Sequence, residues 1–137
     1  HMEIPEQHYK VVARIPSTEF QKICRDLKEF GETIQISGSK EGLKFMVQGD
    51  LGNVGVVLKP RVGNRHQENV TLTVREPVTA TFALRYLIHL SKAEELSENC
   101  GSVELGLGPD APLLVKYDLE SGDNIHMRFY LAPKLAE

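Results

Sequence analysis

The sequence predicts an α+β domain of two β-α-β-β-β repeats, with two helices packed on one face of an antiparallel sheet. Three observations predict it. Two segments carry helical periodicity, Thr18–Phe30 and Thr81–Lys92, each with an apolar side and cations opposite. Each is followed by short runs that alternate with period 2. The connections between those runs are too short for parallel crossovers, so neighbours must pair antiparallel. Two helices of this kind can cover one face of a joined sheet and leave the other to solvent.

The elements follow in order. Tyr9–Ile15 reads as a strand, and Pro16-Ser17-Thr18 opens the first helix, with Ser17 or Thr18 available to cap it. Phe20, Ile23, Cys24, Leu27 and Phe30 fall in a sector about 120° wide, so Lys22 and Arg25 point away from it. Gly31 is a natural stop. Thr33–Ser37 and Leu43–Val47 form a hairpin around Ser39-Lys40-Glu41-Gly42. Val54–Lys59 is the next strand, halted by Pro60, and Val70–Val74 another, closed by Glu76-Pro77. The second helix sets Ala83, Tyr86, Leu87 and Leu90 on its apolar side and Arg85 and Lys92 opposite. Ser102–Leu107, Leu113–Leu119 and Ile125–Leu131 are the last strands, and Ala132–Leu135 is the tail.

Bulk composition narrows the function classes. The 137 residues fit one domain, taken here as residues 3–137, with His1-Met2 read as a cloning remnant. Hydrophobic residues at 41% and charged residues at 26% describe a globular chain. The net charge of -3 means that any contact with a polyanion must use a local basic patch. Cys24 and Cys100 are too few for a disulfide framework, and Cys24 reads as a core thiol. No apolar run reaches the roughly 20 residues of a membrane span.

No catalytic pattern emerges. His8, His66, His89 and His126 are scattered, no C-x-x-C or G-x-S-x-G occurs, and no carboxylate pair stands out. Gly49, Gly52 and Gly55 join strands and precede no helix, so they read as turn glycines and not as a phosphate loop. No catalytic residue, metal site or cofactor is expected.

Three other constellations remain. The first is the basic stripe: Lys22, Arg25, Arg85 and Lys92 share a surface if the helices lie side by side, with Arg14 and Lys28 at its edges. Such a stripe is either a solvated helix face or a sequence-independent phosphate contact. The second is the tail, Phe129–Leu135, which either closes the core or, with Pro112, forms an apolar pocket for a peptide. The third is Val54–Lys59, whose edge must be protected or paired. The tail and the edge alone would make a stand-alone peptide-binding module without a DNA role.

The stretches Ile4-Pro5-Glu6-Gln7, Ile23–Leu27, Lys40–Phe45, Glu76-Pro77-Val78, Thr81–Leu87 and Tyr130–Lys134 together resemble the C-terminal domain of the proliferating cell nuclear antigen family, the eukaryotic sliding clamps. The resemblance runs from Ile4 to Lys134 and implies a DNA-clamp domain, the C-terminal half of a two-domain subunit. It implies a non-enzymatic, nuclear processivity factor for replication and repair that closes as a homotrimer around duplex DNA, is opened by a clamp loader and docks polymerases through PIP-box peptides. It places Lys22, Arg25, Arg85 and Lys92 toward DNA. It assigns Ile4, Pro112, Tyr130, Leu131, Ala132 and Pro133 to the peptide pocket, Lys40 as ubiquitin acceptor, and Val54, Val56, Val57 and Leu58 to the subunit interface. With only one of the two domains in this sequence, the chain by itself is expected not to close a native ring and to bind PIP-box peptides weakly.

Overall fold

The structure is a computed structural model and describes residues 9–65, 68–93, 101–119 and 125–135. In chain order the elements are β1 (Val11–Pro16), α1 (Ser17–Leu27), β2 (Thr33–Ser39), β3 (Gly42–Gly49), β4 (Gly52–Leu58), β5 (Thr71–Val74) and β6 (Val78–Ala83). There follow α2 (Leu84–Ser91), β7 (Ser102–Leu107), β8 (Leu113–Leu119) and β9 (Ile125–Leu131).

The strands are antiparallel, as their short connections require, but they divide between two sheets where one joined sheet was expected. One sheet has the order β5-β1-β7-β8-β9 and the other β4-β3-β2-β6. The reason is non-local pairing: β1 pairs on one side with β5 and on the other with β7, strands far away in sequence. Both helices lie on the buried side, and one continuous core joins them to the two sheets. Tyr117, Phe20, Phe45, Phe82, Ile15, Ile34 and Ile36 are its largest fully buried members.

The second repeat begins differently from the sequence expectation. Thr81–Ala83, expected as the first turn of a helix, end β6, which pairs with β2 from Val78↔Gly38 to Ala83↔Thr33. Val78, Thr79 and Thr81 favour extended backbone, and the vacant side of β2 supplies the hydrogen-bond partners. The helix therefore starts at Leu84 and buries Leu84, Leu87 and Ser91, while Tyr86 is 48% exposed. The first helix is also shorter than expected. It ends at Leu27, so Phe30 lies beyond it and is half exposed. Its start has no side-chain cap, because Pro16 occupies the N-cap position; the Ser17 N–H donates instead to the Gly101 carbonyl.

Lys40-Glu41 turns β2 into β3, and the turn depends on Gly42. Its φ of +140° is closed to side chains, and a Cβ there would stand 2.8 Å from the Leu58 carbonyl oxygen. Lys40 is thereby held on an exposed tip.

Candidate nucleic-acid interface

The two helices touch each other, and each has an exposed polar side. On α1, Phe20, Ile23, Cys24 and Leu27 go inward, and Thr18, Lys22, Arg25 and Asp26 go outward. Burial pushes the Cys24 thiol up to about 12, so it stays protonated and inert at neutral pH. On α2, Leu84 and Leu87 go inward, and Arg85, His89 and Lys92 go outward. Helical spacing places each set along a single stripe.

The cations of the stripe differ in how they are held. Lys22 Nζ forms an ion pair with Asp26 Oδ2 at 2.5 Å, one turn along. The Arg85 guanidinium sits 4.7 Å from the Tyr86 ring centroid and donates to the Tyr86 hydroxyl at 2.9 Å. Stacking leaves its remaining N–H groups free to fork onto an anion. Arg25 and Lys92 have no ion pair among the described residues. His89 was missed by the sequence reading, although it lies four residues after Arg85 and three before Lys92 on the same exposed face.

The two edge members separate. Lys28 is the C-cap residue of α1 and is exposed at the end of the helix pair. Arg14 does not belong to this surface. Along β1, Val11, Ala13 and Ile15 turn to the core, so period-2 alternation sends Arg14 to the opposite, outer side of the sheet. There its guanidinium pairs with Asp118 and lies 3.8 Å from Glu104. Asp118 also contacts His126 at 2.6 Å and Lys116 at 3.9 Å. Partial burial acts to raise the Asp118 pKa, but hydrogen bonds from Arg14 and His126 and the charges of Arg14 and Lys116 outweigh it. The carboxyl is held below its ordinary value.

The tail residues lie together at the far end of β8 and β9. Tyr130 stands opposite Leu114, and Leu131 opposite Leu113. Pro112 and Pro133 are half-buried, Ala132 is exposed, and Tyr130 is 44% exposed. Ile4 lies outside the described residues, as do Cys100, His8 and His66. The sequence reading missed Tyr9, which it took only as a strand residue. With Ala111, Leu114 and half-buried Val12 it builds a second small apolar cluster, its ring over Gly106. Burial, and to a lesser degree Tyr130, push the Tyr9 phenol up to about 12. Its hydroxyl is buried and has no hydrogen-bond partner among the described residues. Spacing did not flag it, because period-2 alternation groups Tyr9 with Val11 and Ala13, whereas it packs beside Val12.

β4 is an end strand of its sheet, paired only with β3 among the described residues. Val54 and Val56 are half-buried, Val57 is exposed and Leu58 is buried. Among the described residues no group of three or more His, Cys, Asp or Glu side chains is placed to hold a metal, and no helix is long and apolar enough to cross a membrane.

The family model described as "Proliferating cell nuclear antigen, C-terminal domain" covers residues 3–134. The chain belongs to this family. It is a sliding-clamp domain, from a group of non-enzymatic processivity factors that associate with DNA and polymerases and act as oligomers.

Proposed function

We propose that this domain forms part of a ring around duplex DNA and faces the duplex with Lys22, Arg25, Arg85 and Lys92, joined by Lys28. What supports the reading is that α1 and α2 touch and each exposes cations, Lys22 and Arg25 on one and Arg85 and Lys92 on the other, with Asp26 the exposed helix carboxylate. Long side chains on rigid helices attract phosphates without reading bases, which suits a ring that must slide. Closure of the ring as a homotrimer then supplies persistence that affinity need not.

The remaining surfaces fit partner docking. PIP-box peptides of polymerases and repair proteins pack against Pro112, Tyr130, Leu131, Ala132 and Pro133, with Ile4 contributing from the start of the chain. The exposed Tyr130 beside the Tyr9 cluster supports this role, because it offers an aromatic wall next to a buried apolar floor. The β4 edge, with Val54, Val56, Val57 and Leu58, pairs with a neighbouring subunit. Lys40, on its exposed turn, is the ubiquitin acceptor. The site of action is the nucleus, and a clamp loader opens the ring.

The test is duplex binding by Arg25→Ala and Arg85→Ala, followed by fluorescence anisotropy on duplexes of unrelated sequence. Affinity falls by a similar factor for every duplex. A loss confined to particular sequences would contradict contact through the backbone.

A further inference from the structure

Beyond the stripe, a separate cavity of about 580 Å³ opens where the end of α1, the start of α2 and the C-terminal tail meet. Its floor includes Leu84 and Ile88, Tyr86 forms one wall, and Lys28, Arg85 and Lys134 stand at its rim. The three cations come from three different elements, so local helix charge patterning does not explain their convergence. Glu32 is the one carboxylate among the lining residues. Its backbone oxygen accepts from the Leu84 N–H at 2.9 Å.

The walls are tied in place. The Lys134 N–H donates to the Thr81 carbonyl at 2.7 Å, and its Nζ donates to Thr33 Oγ1 at 3.0 Å. Arg85 is held against Tyr86. A concavity fixed by backbone bonds costs little ordering entropy when it is filled. A cationic rim over an apolar floor, on a chain with a net charge of -3, selects ligands that are both anionic and apolar.

We propose that this cavity is a docking site for a short acidic peptide of a partner protein, with one apolar or aromatic side chain on the floor and carboxylates forked by Arg85, Lys28 and Lys134. Charge complementarity selects this occupant. A guanidinium preoriented by an aromatic ring suits a planar carboxylate, and the two lysines take flanking charges. The site shares Arg85 and Lys28 with the surface proposed to face DNA, but Lys134 belongs to the cavity alone.

The experiment is a chemical-shift titration of the ¹⁵N-labelled chain at low salt with acetyl-Glu-Asp-Leu-Phe-Asp-amide, and with the neutral analogue carrying Gln and Asn in place of Glu and Asp. The acidic peptide shifts the amides of residues 83–88 and of Lys134, and binds more tightly than the neutral one. Lys134→Gln and Lys28→Gln each weaken the acidic peptide by about three- to fivefold, the scale of one exposed ion pair, and leave the neutral one unchanged. Spectral dispersion equal to that of the unaltered chain confirms that both variants are folded. Equal binding of the two peptides, shifts elsewhere, or indifference to Lys134→Gln would each overturn the proposal. A duplex oligonucleotide is titrated in parallel. If Lys134→Gln weakens the duplex instead of the peptide, the cavity is an extension of the DNA-facing surface and the proposal fails. If the acidic peptide binds as described but Arg25→Ala leaves duplex binding intact, the reading of the helix stripe fails and the cavity stands.

Discussion

The two broad faces of this domain both carry arginine and lysine, and they use them in opposite ways. On the outer face of the five-stranded sheet, Arg14 and Lys116 share Asp118, with Glu104 beside Arg14 and His126 on the far side of the carboxylate. Arg14, Lys116 and His126 there converge on one carboxylate across strands, while Arg128 beside Lys116 has no ion pair among the described residues. On the helix face, Lys22 has Asp26, but Arg25 and Lys92 have no ion pair among the described residues, and Arg85 rests on an aromatic ring. Counting cations therefore does not locate a surface for a polyanion. A cation left without a carboxylate keeps its field directed outward, and Arg25 and Lys92 lie so on two touching helices.

The core lies beneath both faces, so breaking it should abolish the distinction. Phe20 is fully buried between α1 and the sheets. Phe20→Ala is expected to cost about 3–5 kcal/mol in urea unfolding, enough to loosen both faces at once. A loss under about 1 kcal/mol would mean that the helices sit on the sheets far more loosely than described. A smaller effect is expected from Gly42→Ala, which touches neither charged face. The positive φ and the approach to the Leu58 carbonyl predict a cost of about 1–3 kcal/mol, with faster amide exchange in β3 and β4 than in β7 and β8.

The smallest stability effect concerns the outer face alone. The native Asp118 carboxyl titrates below its ordinary value, so the group stabilises the fold fully above the unfolded carboxylate pKa, near ~4. That contribution disappears as pH falls through the lower native value. Asp118→Asn should cost less than about 1 kcal/mol at neutral pH, given the exposure of the pairs. It should also flatten the fall in stability below about pH 4, measured by urea unfolding across the acid range. An unchanged acid profile would show that the cross-strand network is not coupled to folding.

The sequence shows the inward side of the first helix well, because Phe20, Ile23, Cys24 and Leu27 repeat at helical spacing and each is buried; on the second it finds Leu87 but sets the exposed Tyr86 inward and misses the buried Leu84. It also shows the outward Lys22, Arg25, Arg85 and Lys92, which follow from the same arithmetic. Arg14 was misplaced because it was grouped by charge, when the alternation of Ala13 and Ile15 around it already sends it to the other side. Thr81–Ala83 were misread because a strand running directly into a helix leaves no polar break between the two periods. The division into two sheets rests on β1 pairing with β5 and β7, and local pattern cannot reveal a partner so far along the chain. Tyr9 and the cavity beside Lys134 are products of tertiary packing, where three or more elements meet, and no spacing in the sequence marks them.

The comparison between the faces is tested most directly by the salt dependence of duplex binding in three proteins: the unaltered chain, Arg25→Ala/Arg85→Ala, and Arg14→Ala. Each phosphate contact adds about 0.9 to the slope of log affinity against log salt concentration. The double helix-face variant should lower that slope by about 1 to 2, and Arg14→Ala should leave it where it was. A slope that falls equally in Arg14→Ala, or one that the helix-face changes leave intact, would contradict the claim that unpaired helix cations meet the DNA.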